Sequence, residues 1–139
     1  MVSIVKGKFI VASGPVIIEK RKLLVVKDNK DDFYKLPGGT VKEGETLEAA
    51  CKKIARKECN AEIEILNPLF PNILYKNPQT KEKMTIILIN YLAKLKNKKD
   101  IKPIFPVQEI KWVSIKEIKQ GKGNVSPNIM KLIKKRGIN

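Results

Sequence analysis

The chain contains no histidine. That absence removes Ser-His-Asp triads, Cys-His pairs, phosphohistidine chemistry and His-ligated zinc. Catalysis here has to run on carboxylates, lysines, tyrosines, hydroxyls or a metal held by oxygen. Arginine is scarce: 3 of the 29 basic residues are Arg21, Arg56 and Arg136, and the other 26 are lysine. Base-edge recognition draws on arginine's planar fork, so the lysines describe a diffuse field for anions more than a base-reading surface. There are two cysteines, Cys51 and Cys59. On one helix that spacing separates them by about 12 Å along the axis, beyond disulfide reach. A reducing compartment is expected, and a disulfide scaffold is not. No apolar run approaches a membrane span, and Lys6 and Lys8 interrupt the N-terminus too early for a signal peptide's apolar core. A cytoplasmic protein without a membrane partner is expected.

What is present is enough for one packed core. The 139 residues are 42% hydrophobic, which predicts a single domain over 1–139 and excludes a disordered tail. The formal charge is +15. A polyanionic partner and a Lys-Ile-rich composition both account for it, and both readings stay open.

Residues 2–13 are rich in β-branched side chains, and Ser13-Gly14-Pro15 predicts a turn. Val16–Ile18 and Leu23–Val26 read as strands around the basic turn Lys20-Arg21-Lys22. Phe33–Leu36 predicts a short strand running into Pro37-Gly38-Gly39. A helix follows, with Thr46 as N-cap, Leu47, Ala50, Cys51, Ile54 and Ala55 at helical spacing, and Asn60 as a left-handed stop. Glu62–Phe70 alternates as a strand, with Ile63, Ile65 and Leu69 on one face. Residues 71–83 predict a long loop or hairpin. Met84–Leu95 is apolar on both faces and predicts a central strand. Glu109–Val113 is a further strand, Ser114 opens a short helix, and Ser126-Pro127 caps a final one. Strands, one helix, strands and a last helix predict a mixed sheet covered on both faces.

The chemistry-bearing stretch is Leu36-Pro37-Gly38-Gly39 through Glu45, Thr46 and the helix beyond. A strand enters a glycine loop and the loop opens a helix. Glycines let backbone amides and carbonyls approach a phosphate or metal, and the helix N-terminus adds partial positive charge. This stretch resembles the box of the Nudix family, GX5EX7REUXEEXGU, with U a bulky aliphatic residue. Gly39 and Glu45 match, and Lys53 stands at the arginine. The flanks Tyr34–Gly39 and Glu109–Ile118 resemble the family's strand into the box and its late strand and turn. The resemblance implies an α/β/α sandwich with a mixed sheet. It also implies a magnesium-dependent hydrolase of nucleoside-diphosphate-linked compounds.

The family's acidic patch falls at positions 54, 57 and 58, which share one helix face. Three carboxylates there would hold magnesium against a diphosphate. This chain has Ile54, Lys57 and Glu58 instead, and Asn60 and Ala61 end the box. The resemblance implies catalytic roles for Glu58, Glu45 and Lys53. It implies substrate contacts for Gly38, Gly39 and Lys57, and a weak magnesium site from Glu58 and the Gly38 carbonyl. Ile54 extends the apolar stripe of the helix. Glu43 and Glu48 read as solvated or capping, and Glu109 as a loose match to a family base. Phe70, Tyr75 and Phe105 fit the core better than base stacking. Two functions therefore stand side by side. One is a hydrolase with a depleted box, and the other is a non-catalytic module that binds a nucleotide, another diphosphate-containing small molecule, or RNA.

Overall fold

A computed structural model describes residues 7–77 and 80–136 of the chain, without the side chain of Arg136. The elements run β1 (Phe9–Glu19), β2 (Lys22–Asp28), β3 (Gly39–Thr40), α1 (Leu47–Cys59), β4 (Ile63–Pro68), β5 (Asn72–Lys76), β6 (Lys83–Leu95), β7 (Val107–Ser114), α2 (Ile115–Lys119) and α3 (Pro127–Arg136). The sheet order is β4-β6-β1-β2-β7, with β3 on β1 and β5 on β6. β1 and β6 are parallel, and the other pairs are antiparallel. This is the mixed sheet of an α/β/α sandwich.

The central strands feed both layers because successive side chains alternate faces. Ile17, Leu24 and Val26 pack with Cys51, Ala55 and Cys59 of α1. Val16, Leu23 and Val25 pack with Ile115, Ile118, Ile129 and Ile133 of α2 and α3. β6 is central, as its apolar faces predict, and pairs with β1, β4 and β5. Lys20 and Arg21 both take positive φ (49° and 63°), so the β1–β2 hairpin closes on a two-residue turn.

Three expectations are corrected. Ser13-Gly14-Pro15 does not turn: β1 runs through it, paired to Ile89, Asn90 and Tyr91 of β6. Glycine serves close packing there, because a Cβ on Gly14 would strike the Pro37 carbonyl oxygen and lie 2.9 Å from the Gly38 Cα. Pro15 sits where β1 passes from β3 to β2 and meets neither. Phe33–Leu36 forms only isolated bridges, Lys35 to Val26 and Tyr34 to Val125. Leu69 leaves the face of Ile63 and Ile65, because a bulge between Ile65 and Asn67 shifts the alternation and sends Leu69 to the opposite core. Of the loop or hairpin expected at 71–83 the hairpin is observed, with β5 antiparallel to β6. The first part of the β-branched stretch, residues 2–6, lies outside the described residues.

Candidate functional site

Close contact between Gly14 and Pro37 holds the glycine loop against β1. Gly39 and Thr40 then pair with Ser13 and Ala12 as β3. The following turn is tied by one carboxylate. Glu45 accepts from the Lys42 amide at 2.8 Å and from Lys53 Nζ at 3.2 Å. Those two donors, the amide first, hold its carboxyl below the usual carboxylate range. Thr46 caps α1 through a 3.1 Å bond from the Ala49 amide, and Asn60 ends it at φ 52°. The helix therefore starts and stops where its cap residues predict.

One face of α1 meets the loop. Ile54 is buried, and a Cβ on Gly39 would lie 3.2 Å from its Cδ1. An apolar side chain thus covers the loop backbone at the first of the family's carboxylate positions. Lys57 is exposed and Glu58 is half-buried. Burial pushes the Glu58 carboxyl up to about 7, against the opposing pull of Lys35, the Gly38 amide bonded to it, and Lys57. Asp28 adds to the upward push.

The six residues singled out from the sequence, Gly38, Gly39, Glu45, Lys53, Lys57 and Glu58, line one pocket of about 240 Å³. Lys42 and Ile54 complete its chemistry. Three lysines face two carboxylates, so the pocket suits an anion. It does not suit the family's metal. Glu45 is engaged by Lys42 and Lys53, and Glu58 is bonded to an amide and carries a raised pKa. Among the described residues no three His, Cys, Asp or Glu side chains are grouped to hold a metal ion. A magnesium shell built from protein carboxylates does not fit this donor set.

Across Gly38, Gly39 and Thr40 lies a second cavity of about 260 Å³. Ile10, Ala12, Ile86 and Leu88 floor it, and Lys35, Asn90 and Asn128 bring polar groups to it. Asn90 is buried and donates to the Gly14 carbonyl at 3.1 Å. Lys35 pairs with Asp28 at 3.4 Å and with Asp31 at 3.1 Å. These residues escaped the sequence reading. The available signal was the Asp28-Asp31-Lys35 spacing, which reads as an ordinary polar loop.

Other candidates are placed differently. Glu109 lies within β7 opposite Lys27, accepts from the Tyr34 hydroxyl at 2.9 Å, and lies outside the lining of the lysine pocket. Phe70, Tyr75 and Phe105 are 76%, 72% and 85% exposed, so the expectation that they join the core is wrong. Glu43 and Glu48 are exposed. Cys51 and Cys59 are buried and free, and burial pushes both thiols up to about 12. No described helix is long and apolar enough to cross a membrane.

Comparison with known proteins bears on the whole chain. No curated protein sequence matches it. Among solved structures, a NUDIX hydrolase from Nitrosomonas europaea is 19% identical, with 95% of this chain and 92% of that one covered at a TM-score of 0.74. A MutT protein from Methanosarcina mazei Go1 is 18% identical over 94% of each chain, also at 0.74. A UDP-X diphosphatase is 17% identical over 89% of this chain and 57% of that one, at 0.70. At such identities the likeness concerns the fold. The family model described as the NUDIX domain matches residues 8–133. With the glycine loop, the capped helix and the sandwich in place, this chain belongs to the Nudix family.

Proposed function

We propose that this chain is a Nudix module that binds the diphosphate of a nucleotide without magnesium-dependent hydrolysis at the family's ordinary rate. The observation that carries the reading is the α1 face, where Ile54 and Lys57 replace two carboxylates beside Glu58. Lys42, Lys53 and Lys57 then supply cationic donors to phosphate oxygens, and the Gly38-Gly39 backbone allows close approach. Glu45 holds Lys53 and the loop in place. Below about pH 7 the neutral Glu58 carboxyl adds a donor instead of a repelling charge. The apolar cavity beyond the loop offers room for the base. We assign the whole of 1–139 to this one module. Its two buried free thiols favour a reducing, cytoplasmic setting.

A second reading keeps slow hydrolysis, with Glu58 as the working group and Glu45 and Lys53 positioning the loop. It draws on the Glu58 carboxyl titrating near neutrality, where a general base is most effective. Calorimetry of adenosine and uridine 5′-diphosphates in EDTA tests the binding reading. We predict binding by the wild type and at least roughly tenfold weaker binding by Lys57→Glu, the scale of one charge-assisted contact. Absence of binding in EDTA, or indifference to the substitution, overturns the reading.

A further inference from the structure

The apolar cavity has a larger neighbour. Leu36, Leu88, Asn90 and Asn128 also line a third trough of about 660 Å³, larger than the lysine pocket and the apolar cavity combined. The lysine pocket shares residues with the cavity and none with the trough. The three spaces therefore follow a linear order of lysine pocket, glycine loop, apolar cavity and trough.

The trough has its own chemistry. Phe70, 76% exposed, stands on one side, in the segment between β4 and β5. Lys131 and Lys135 stand on the other, four residues apart on one face of α3. Among the described residues no carboxylate lines it. An accessible aromatic ring beside paired cations, in a trough adjoining the apolar cavity, is the arrangement that stacks bases and tracks a phosphate backbone.

Resting on the diphosphate-binding reading above, we propose that the cleft takes a single-stranded oligonucleotide with a 5′ phosphate. The terminal phosphate lies in the lysine pocket and the first base in the apolar cavity. The next phosphate lies at Lys131 and Lys135, with the following base on Phe70. The linear order selects this ligand over two nucleosides joined by a phosphate chain. In that ligand the phosphates lie between the bases, whereas here the richest cationic pocket lies at one end.

The test uses the full chain in EDTA at fixed salt. Its probes are a 5′-phosphorylated mixed-sequence ribotrinucleotide and the nucleoside 5′-diphosphates. The wild type binds the trinucleotide at least roughly tenfold more tightly, the scale of one stacked base. Lys131→Glu with Lys135→Glu removes that gain, while the charge-matched control Lys94→Glu with Lys96→Glu, two exposed lysines at and just past the end of β6, keeps it. Phe70→Ala removes most of the gain without changing net charge. Lys57→Glu weakens both probes. The inference is overturned if the trinucleotide binds no more tightly than the diphosphates, or if the control loses the gain as fully as the α3 variant. It also falls if neither probe binds, and in that case the diphosphate reading falls with it. Binding of the diphosphates without any gain defeats the oligonucleotide inference alone.

Discussion

Replacing Glu58 by glutamine should flatten the pH dependence of stability near neutrality. The folded chain raises this carboxyl from 4.5 to about 7, chiefly by burial. A raised carboxyl favours the fold while protonated. Its contribution is complete below about pH 4.5 and is lost as pH rises through about 7. Integrating the linkage relation over those two values gives a loss of about 2.5 kcal/mol between about pH 5 and pH 8. This is an upper value, since the half-buried carboxylate keeps some water. The chain is well suited to the measurement because it has no histidine to titrate in the same window. Asp28 and Glu45 have lowered pKa values and act oppositely, at lower pH. The α-amino group is common to both proteins and cancels. Glutamine keeps the shape and still accepts from the Gly38 amide. We predict urea midpoints that nearly coincide at about pH 5, with the variant ahead by about 2 kcal/mol at about pH 8. Parallel stability curves across that range would refute the burial argument for Glu58.

Gly14→Ala should destabilise the fold by about 1–3 kcal/mol, the usual cost of overpacking, and weaken nucleotide binding in the same protein. Its Cβ meets the Pro37 carbonyl and the Gly38 Cα and must displace the glycine loop. Denaturant melts and calorimetry check both effects, and an unchanged protein would remove the close-packing account of Gly14. Magnesium titrated into the unliganded wild type should give little heat, because its donor set does not make a carboxylate shell. Ile54→Glu with Lys57→Glu places three carboxylates on one face of α1, at the cost of charging a buried position. We predict a lower melting temperature without metal and a rise on adding magnesium. A melting temperature indifferent to magnesium would show that this face cannot carry a metal even with its acids restored.

Local chemistry was legible where single residues determine it. Thr46 and Asn60 bound α1, the two-faced apolarity of β6 marks it as central, and the box spacing brings six named residues to one pocket. The failures occurred where tertiary contact overrides a local signal. Ser13-Gly14-Pro15 has turn composition, but its glycine admits the Pro37 carbonyl to a continuous strand. The bulge before Asn67 reverses the face of Leu69, a change that alternation alone does not encode. Phe70, Tyr75 and Phe105 look like core residues by type, yet the sheet leaves them outside. Asn90 reaches Gly14 across 76 residues of sequence, and Lys35 reaches two aspartates of its own loop. The Asn90 contact exists only once β1 and β6 have paired.

On the proposed reading, the Nudix site holds a diphosphate and lacks the acidic patch that hydrolysis needs, with Ile54 and Lys57 beside Glu58. The most direct test runs a panel of nucleoside diphosphates and their conjugates through a phosphate- and product-release assay at millimolar magnesium. Binding of the same compounds is measured in EDTA. We predict binding of at least one compound in EDTA, with turnover in magnesium far below that of a Nudix hydrolase carrying all three carboxylates. Rapid magnesium-dependent turnover by the wild type, abolished by EDTA, would contradict it.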